Sequence, residues 1–215
     1  MRWLGGGLTL AFLVPFLFAD VLDLPKDLYY GIYATAVCGF FALWAHASGQ
    51  PLVEILRRRW RLATLLGVII GVVMAVIVLR AEDSTPAPDG LELAWAVLWR
   101  GVIYGAVDGL LLSGFPIVAV FAAAARSKLR THTSGTALVG GLALLASLMF
   151  TAVYHLGYSD FRSQKLAQPV AGDVVWSVPT LATLNPLGAA MSHATMHVTA
   201  VLHSYETDTF LPPHQ

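Results

Sequence analysis

Long apolar runs separated by short charged stretches organise this chain. Segments bounded by charge fall at about residues 3–21, 28–47, 62–79, 93–125, 135–158 and 178–204. One of them, "LATLLGVIIGVVMAVIVL" (Leu62 to Leu79), runs 18 residues without a charge. A membrane-crossing helix needs about 20 mostly apolar residues, so that run reads as a span. The fourth segment is longer than one crossing requires. Its first part, Leu91 to Arg100, is expected at the outer surface or tilted, with Gly101 to Ala125 as the span. Pro116 predicts a kink there, because proline lacks the helical N–H. In the last segment, Pro179 and Pro186 predict a broken or re-entrant start and regular helix from about Leu187. The expected fold is all-α: a polytopic membrane protein with about six transmembrane helices in one bundle, a single domain over residues 1–215.

Charge adds a direction. Arg57, Arg58, Arg59 and Arg61 follow the second segment, and Arg126, Lys128 and Arg130 follow the fourth. Asp20, Asp23 and Asp27 occupy the first connection; Glu82, Asp83, Asp89 and Glu92 occupy the third. Lys and Arg collect on the cytoplasmic side of membrane proteins. Both termini are therefore expected in the cytoplasm, and the chain in a bacterial-type inner (plasma) membrane. The N-terminus resembles a signal peptide, but Phe16 stands where a small residue would precede cleavage after Ala19, so a retained first span is expected.

Composition agrees: 57% of residues are hydrophobic and 12% charged, against roughly 25% charged in soluble domains. The formal net charge is zero, so no nucleic-acid partner is expected. The single cysteine, Cys38, permits no intrachain disulfide. The six tryptophans fall near segment ends, as an interfacial belt requires.

Ionisable groups inside spans are costly and usually face a bundle interior or a wet cavity. Arg100, Tyr104 and Asp108 recur every four residues as one stripe, beside the small-residue face of Gly101, Gly105 and Gly109. Gly67 and Gly71 form a second close-packing face. Ser147, Thr151, Tyr154, His155 and Tyr158 form another polar stripe, and Asn185, Ser192, His193 and His197 a third. Asp108, His155, His193 and His197 are the candidate site. The i, i+4 pair His193/His197 can chelate one ion, and a carboxylate or third His would complete a set suited to zinc. A hydrolytic Asp108–His dyad and haem ligation are the alternatives. So is a purely structural set of interhelical hydrogen bonds, each worth about 0.6 kcal/mol. His203 lies on another helix face, and His46, His132 and His214 sit at span ends or in loops.

The last three spans resemble the CAAX-protease and bacteriocin-processing family of intramembrane proteins. "FTAVYHLGY" looks like that family's aromatic-then-His motif, placing His155 on its histidine. "NPLGAAMSHATMHV" looks like its His-x-x-x-Asn motif, with His193 on the histidine and His197 in place of Asn. The family's Glu-Glu-x-x-x-Arg motif has no close counterpart: Val107 and Asp108 fall on the acids and Leu112 on the Arg. The resemblance implies an all-helical intramembrane fold. It further implies a metal-dependent peptidase acting on a membrane-delivered peptide, or an inactive descendant, with Asp108, His155 and His193 catalytic and Asp108, His155, His193 and His197 as metal ligands. The competing expectations are a non-catalytic subunit or chaperone of a membrane protein complex and a small transporter.

Overall fold

The computed structural model describes residues 2–125, 127, 132–207 and 209–213. Arg126, Lys128, Arg130 and His214 lie outside the described residues. The described chain is helical, with no strand among its elements. In order these are α1 (Arg2–Val14), α2 (Lys26–Ala47), α3 (Leu52–Arg57) and α4 (Trp60–Ala81). There follow α5 (Gly90–Ala96), α6 (Gly105–Gly109), α7 (Phe115–Ala123), α8 (Thr133–Leu156), α9 (Ala167–Trp176), α10 (Val178–Thr183) and α11 (Leu187–His203). Five helical stretches are long and apolar enough to cross a membrane: Arg2–Val21, Lys26–Ala47, Trp60–Ala81, Gly90–Ala123 and Thr133–Leu156.

The fourth stretch is one continuous rod in which π-helical turns, Val97–Tyr104 and Leu110–Gly114, separate α5, α6 and α7. Leu91 to Arg100 therefore continues directly into the span. Pro116 explains part of the second wide turn. It has no N–H to offer the Leu112 carbonyl four residues back; the Ser147 hydroxyl donates to that carbonyl at 3.0 Å instead.

Glycine decides which helices meet. A Cβ on Gly67 or Gly71 of α4 would lie 2.5 Å from the Gly188 carbonyl oxygen or 2.4 Å from Thr195 Cβ. A Cβ on Gly101, Gly105 or Gly109 would come within 2.7, 2.9 or 2.4 Å of α11 atoms. Both small-residue faces read from the sequence thus close on the same helix. Because α11 is clamped between α4 and α6, its histidines face Asp108.

The chain before α11 was expected to be irregular, and it is. Leu184 adopts a left-handed conformation (φ 54°) that stops α10. Asn185 then takes over: its Oδ1 accepts from Leu187 N at 2.9 Å, and its Nδ2 donates to the carbonyls of Leu56 (2.9 Å) and Arg58 (2.6 Å). This pins the start of α11 to the arginine-rich end of the bundle.

That pin corrects the expected path of the chain. Residues 160–162 sit at the opposite, acidic end, where Arg162 pairs with Asp20 at 2.9 Å. Between them α9 and α10 form one rod, joined through Ser177 N to the Asp173 carbonyl and Leu181 N to the Ser177 carbonyl, each 2.9 Å. Seventeen residues rising 1.5 Å each reach about 26 Å, enough to return across most of the bundle. α11 then runs back toward the acidic end, where His203 Nε2 lies 3.0 Å from the Glu82 carbonyl and Thr85 N donates to the His203 carbonyl at 2.9 Å. The Tyr30 hydroxyl, near the Asp27 end of α2, donates to the Pro212 carbonyl. Arg2 and Pro212 therefore lie at opposite ends of the bundle, whereas the sequence reading places both termini on one side. The physical reason is polarity: Gln168, Pro169, Asp173 and Ser177 make α9–α10 too polar to read as a rod that runs the length of the bundle.

Candidate metal centre

Asp108 lies on α6, between the two π turns, 5% exposed. Its Oδ2 stands 3.1 Å from His193 Nδ1 and 3.6 Å from His197 Nε2; its Oδ1 accepts from the Tyr33 hydroxyl at 3.0 Å. The two histidines stack loosely one turn apart on α11, ring centroids 6.4 Å apart. One ligand atom from each of Asp108, His193 and His197 lies within 4.8 Å of the others, so this buried group could hold a metal ion.

The protein leaves histidine valences for such an ion. His193 Nε2 and both His197 nitrogens are buried without a hydrogen-bond partner. Buried polar atoms of native proteins are nearly always satisfied, so three orphans on two adjacent rings require an explanation. Zinc bonds of about 2.0–2.1 Å in a tetrahedron place ligand atoms roughly 3.3 Å apart. The 3.1 and 3.6 Å from Asp108 Oδ2 to His193 Nδ1 and His197 Nε2 bracket that spacing, and of the orphaned nitrogens His197 Nε2 belongs to this set.

The group lines a cavity of about 650 Å³. Met74, Phe161, Val175, Trp176, Met196 and Phe210 give it apolar walls, while Gln168, Thr209 and Glu82 place its rim at the acidic end of the bundle. His155 lines the same cavity but stands outside the ligand-distance group. Its Nδ1 lies 2.8 Å from the Thr151 carbonyl, which can only accept, so Nδ1 carries the proton and Nε2 the lone pair. The four residues expected from the sequence thus share one cavity, three of them close enough together that they could hold one ion and the fourth on the wall.

Arg100 does not join them. The intervening π turn breaks the expected stripe: Arg100 pairs with Asp27 at 2.9 Å, and Tyr104 turns its hydroxyl to Tyr154 at 2.6 Å. Tyr104 belongs to a buried cluster in which the hydroxyls of Tyr29, Tyr154 and Tyr158 also meet, with contacts of 2.6–3.4 Å. Tyr33 packs against this cluster and carries it to Asp108, its ring 5.3 Å from Tyr104 and 5.7 Å from Tyr154. Trp176 also leaves its expected place: it is buried, its ring 4.7 Å from His193. Trp44 is likewise buried rather than interfacial.

Sequence reasoning missed Tyr33 and Asp173. The i, i+4 tyrosines of "YYGIY" were a visible signal for the first. For Asp173 the signal was a lone acid inside "PVAGDVVW".

Comparisons with protein-family models, curated proteins and solved structures find no match for this chain.

Proposed function

We propose that this chain is a divergent, CAAX-protease-like intramembrane hydrolase, with zinc at Asp108, His193 and His197 and a membrane-delivered peptide as substrate. The observation that carries this reading is the close approach of Asp108, His193 and His197 ligand atoms, with His197 Nε2 otherwise unpartnered, in an apolar-walled cavity. Nitrogen and carboxylate ligands from three residues suit a zinc site that keeps a position open. Haem fits less well, because His193 and His197 project from one helix toward the same carboxylate rather than from two sides. When bound, zinc would supply Lewis acidity and a water that ionises near neutral pH.

The remaining roles fall to the chain itself. Asp108 is ligand and orienter, fixed by Tyr33. His155, whose Nδ1 proton the Thr151 carbonyl accepts, is the base that holds and moves the proton of an attacking water. The apolar walls receive hydrophobic side chains flanking the scissile bond and exclude bulk water.

The same reading sets the arrangement in the membrane. The arginine-rich end, Arg57 to Arg61, is cytoplasmic, and the acidic end with the cavity rim and the C-terminal residues faces the other side of a bacterial inner membrane. α9–α10 and α11 add two further, shorter passes to the five long ones.

The test is cleavage of a hydrophobic quenched-fluorescent peptide by the reconstituted protein. Cleavage is expected to require zinc, to stop on chelation and to be absent in His155→Ala, which retains metal. A zinc-loaded protein that cleaves no member of a diverse hydrophobic peptide library would count against hydrolysis while leaving the metal site standing.

A further inference from the structure

Glu54 and Arg58 stand four residues apart, acid before base, the order in which a helical pair closes most favourably. They do not pair. Among the described residues neither forms an ion pair with the other or with any third group. The backbone accounts for this: α3 stops at Arg57, Arg58 is extended (ψ 114°), and Arg59 is left-handed (φ 48°). Asn185 fixes that path, because its Nδ2 donates to the Leu56 and Arg58 carbonyls. A left-handed conformation is costly for a residue with a Cβ and persists only where its surroundings hold it.

Both side chains line one pocket of about 240 Å³ at the arginine-rich end of the bundle, where α2, α7 and α10 end beside α3. Ile55, Val118, Phe121 and Leu184 give it apolar walls, and Gln50 adds an amide. Two of the helical stretches long enough to cross a membrane, Lys26–Ala47 and Gly90–Ala123, terminate at this level. The pocket therefore sits where a membrane's hydrocarbon gives way to headgroups. It presents one cation and one anion, unpaired, beside apolar surface. Hydration satisfies either charge alone, but it gives no reason for a strained turn that keeps both in one pocket.

We propose that this pocket binds the headgroup of a zwitterionic aminophospholipid of the phosphatidylethanolamine class, with the first part of an acyl chain on the apolar wall. Arg58 takes the phosphate, as basic pockets between helices at a membrane surface do. Glu54 takes the ammonium, which offers three N–H donors to a carboxylate that only accepts. A purely anionic lipid would meet Glu54 as a like charge, and a choline headgroup offers it no N–H. Charge complementarity of this kind sets the choice of partner more than the strength of binding. A soluble zwitterion would leave the apolar wall uncovered. The pocket lies at the opposite end of the bundle from the rim of the Asp108 cavity, so the proposal does not rest on zinc or on hydrolysis.

Thermal unfolding of the purified, delipidated full chain in detergent tests this, because a ligand that binds the folded state raises Tm. The probes are dilauroyl phosphatidylethanolamine, phosphatidylglycerol and phosphatidylcholine, and free phosphoethanolamine. Phosphatidylethanolamine is expected to raise Tm saturably and at a lower concentration than the other two lipids, with phosphoethanolamine weakest. Neither side chain makes a hydrogen bond or ion pair within the protein, so Arg58→Gln and Glu54→Gln fold. Arg58→Gln is expected to raise the half-saturating phosphatidylethanolamine concentration several-fold. Glu54→Gln is expected to do the same and to bind phosphatidylglycerol better than the wild type, reversing the preference. His193→Ala is expected to keep the wild-type response. Equal responses to phosphatidylethanolamine and phosphatidylglycerol would overturn the proposal, as would the absence of any response. So would a preference unchanged in Glu54→Gln, or a full response to phosphoethanolamine, which would mark a soluble ligand.

Discussion

Tyr33 donates its hydroxyl to Asp108 Oδ1 at 3.0 Å while the other carboxylate oxygen faces His193 Nδ1 at 3.1 Å. One carboxylate thus joins the buried tyrosine cluster to the two histidines, and its rotamer is held from both sides. Groups that orient a metal ligand typically contribute 10–100-fold in affinity. Tyr33→Phe, which keeps the ring packing, is therefore expected to weaken zinc binding by about 10–100-fold while the protein still folds. Competition against a chelating dye measures this; unchanged affinity would detach Tyr33 from the site.

His193 and His197 are expected to behave as one unit. Residues that share a ligand couple strongly. His193→Ala and His197→Ala should each remove most of the bound metal, and the double variant should add little. His203→Ala, whose ring meets the Glu82 carbonyl, should leave the metal in place. Additive losses of stability with metal retained would indicate that the histidines only pack.

Asp108→Asn keeps the side-chain shape and removes the charge. With zinc at this position the variant is expected to fold and insert but to lose metal and activity. An ionised carboxylate inside a span otherwise costs a few kcal/mol, so a purely structural Asp108 would tolerate the change or gain from it.

Helix approach is as necessary as ligand identity. Gly109→Ala would set a Cβ 2.4 Å from the Ala189 carbonyl oxygen, too close for either backbone to stay. The expected cost is about 1–3 kcal/mol, as for overpacking generally, together with metal loss as α11 moves from α6. Gly140→Ala, with no heavy atom within 4 Å, is the silent control. Tm and metal content of the two variants check this.

Much of this site was legible in the sequence because helical periodicity survives in it. The i, i+4 pair His193/His197 and the Gly105/Gly109 face lie where four-residue spacing puts them, since α6 and α11 are regular where they meet, and Gly101 reaches α11 from within the π turn. Arg100 did not, because the π turn Val97–Tyr104 inserts an irregularity that four-residue spacing ignores. His155 was placed on the right cavity but not at ligand distance, a separation set by packing against Tyr154 and Phe161 rather than by spacing. The α9–α10 rod was hidden by its own chemistry. Its polar residues pay for burial by bonding to Ser113 and Ser147, partners far away in sequence.

The central claim is that Asp108, His193 and His197 hold a metal ion, and elemental analysis of the purified full chain tests it most directly. The protein, prepared without added metal or chelator, is expected to carry zinc at close to one ion per chain, and His193→Ala next to none. Folded wild-type protein that contains no zinc and takes up none on titration would contradict the claim.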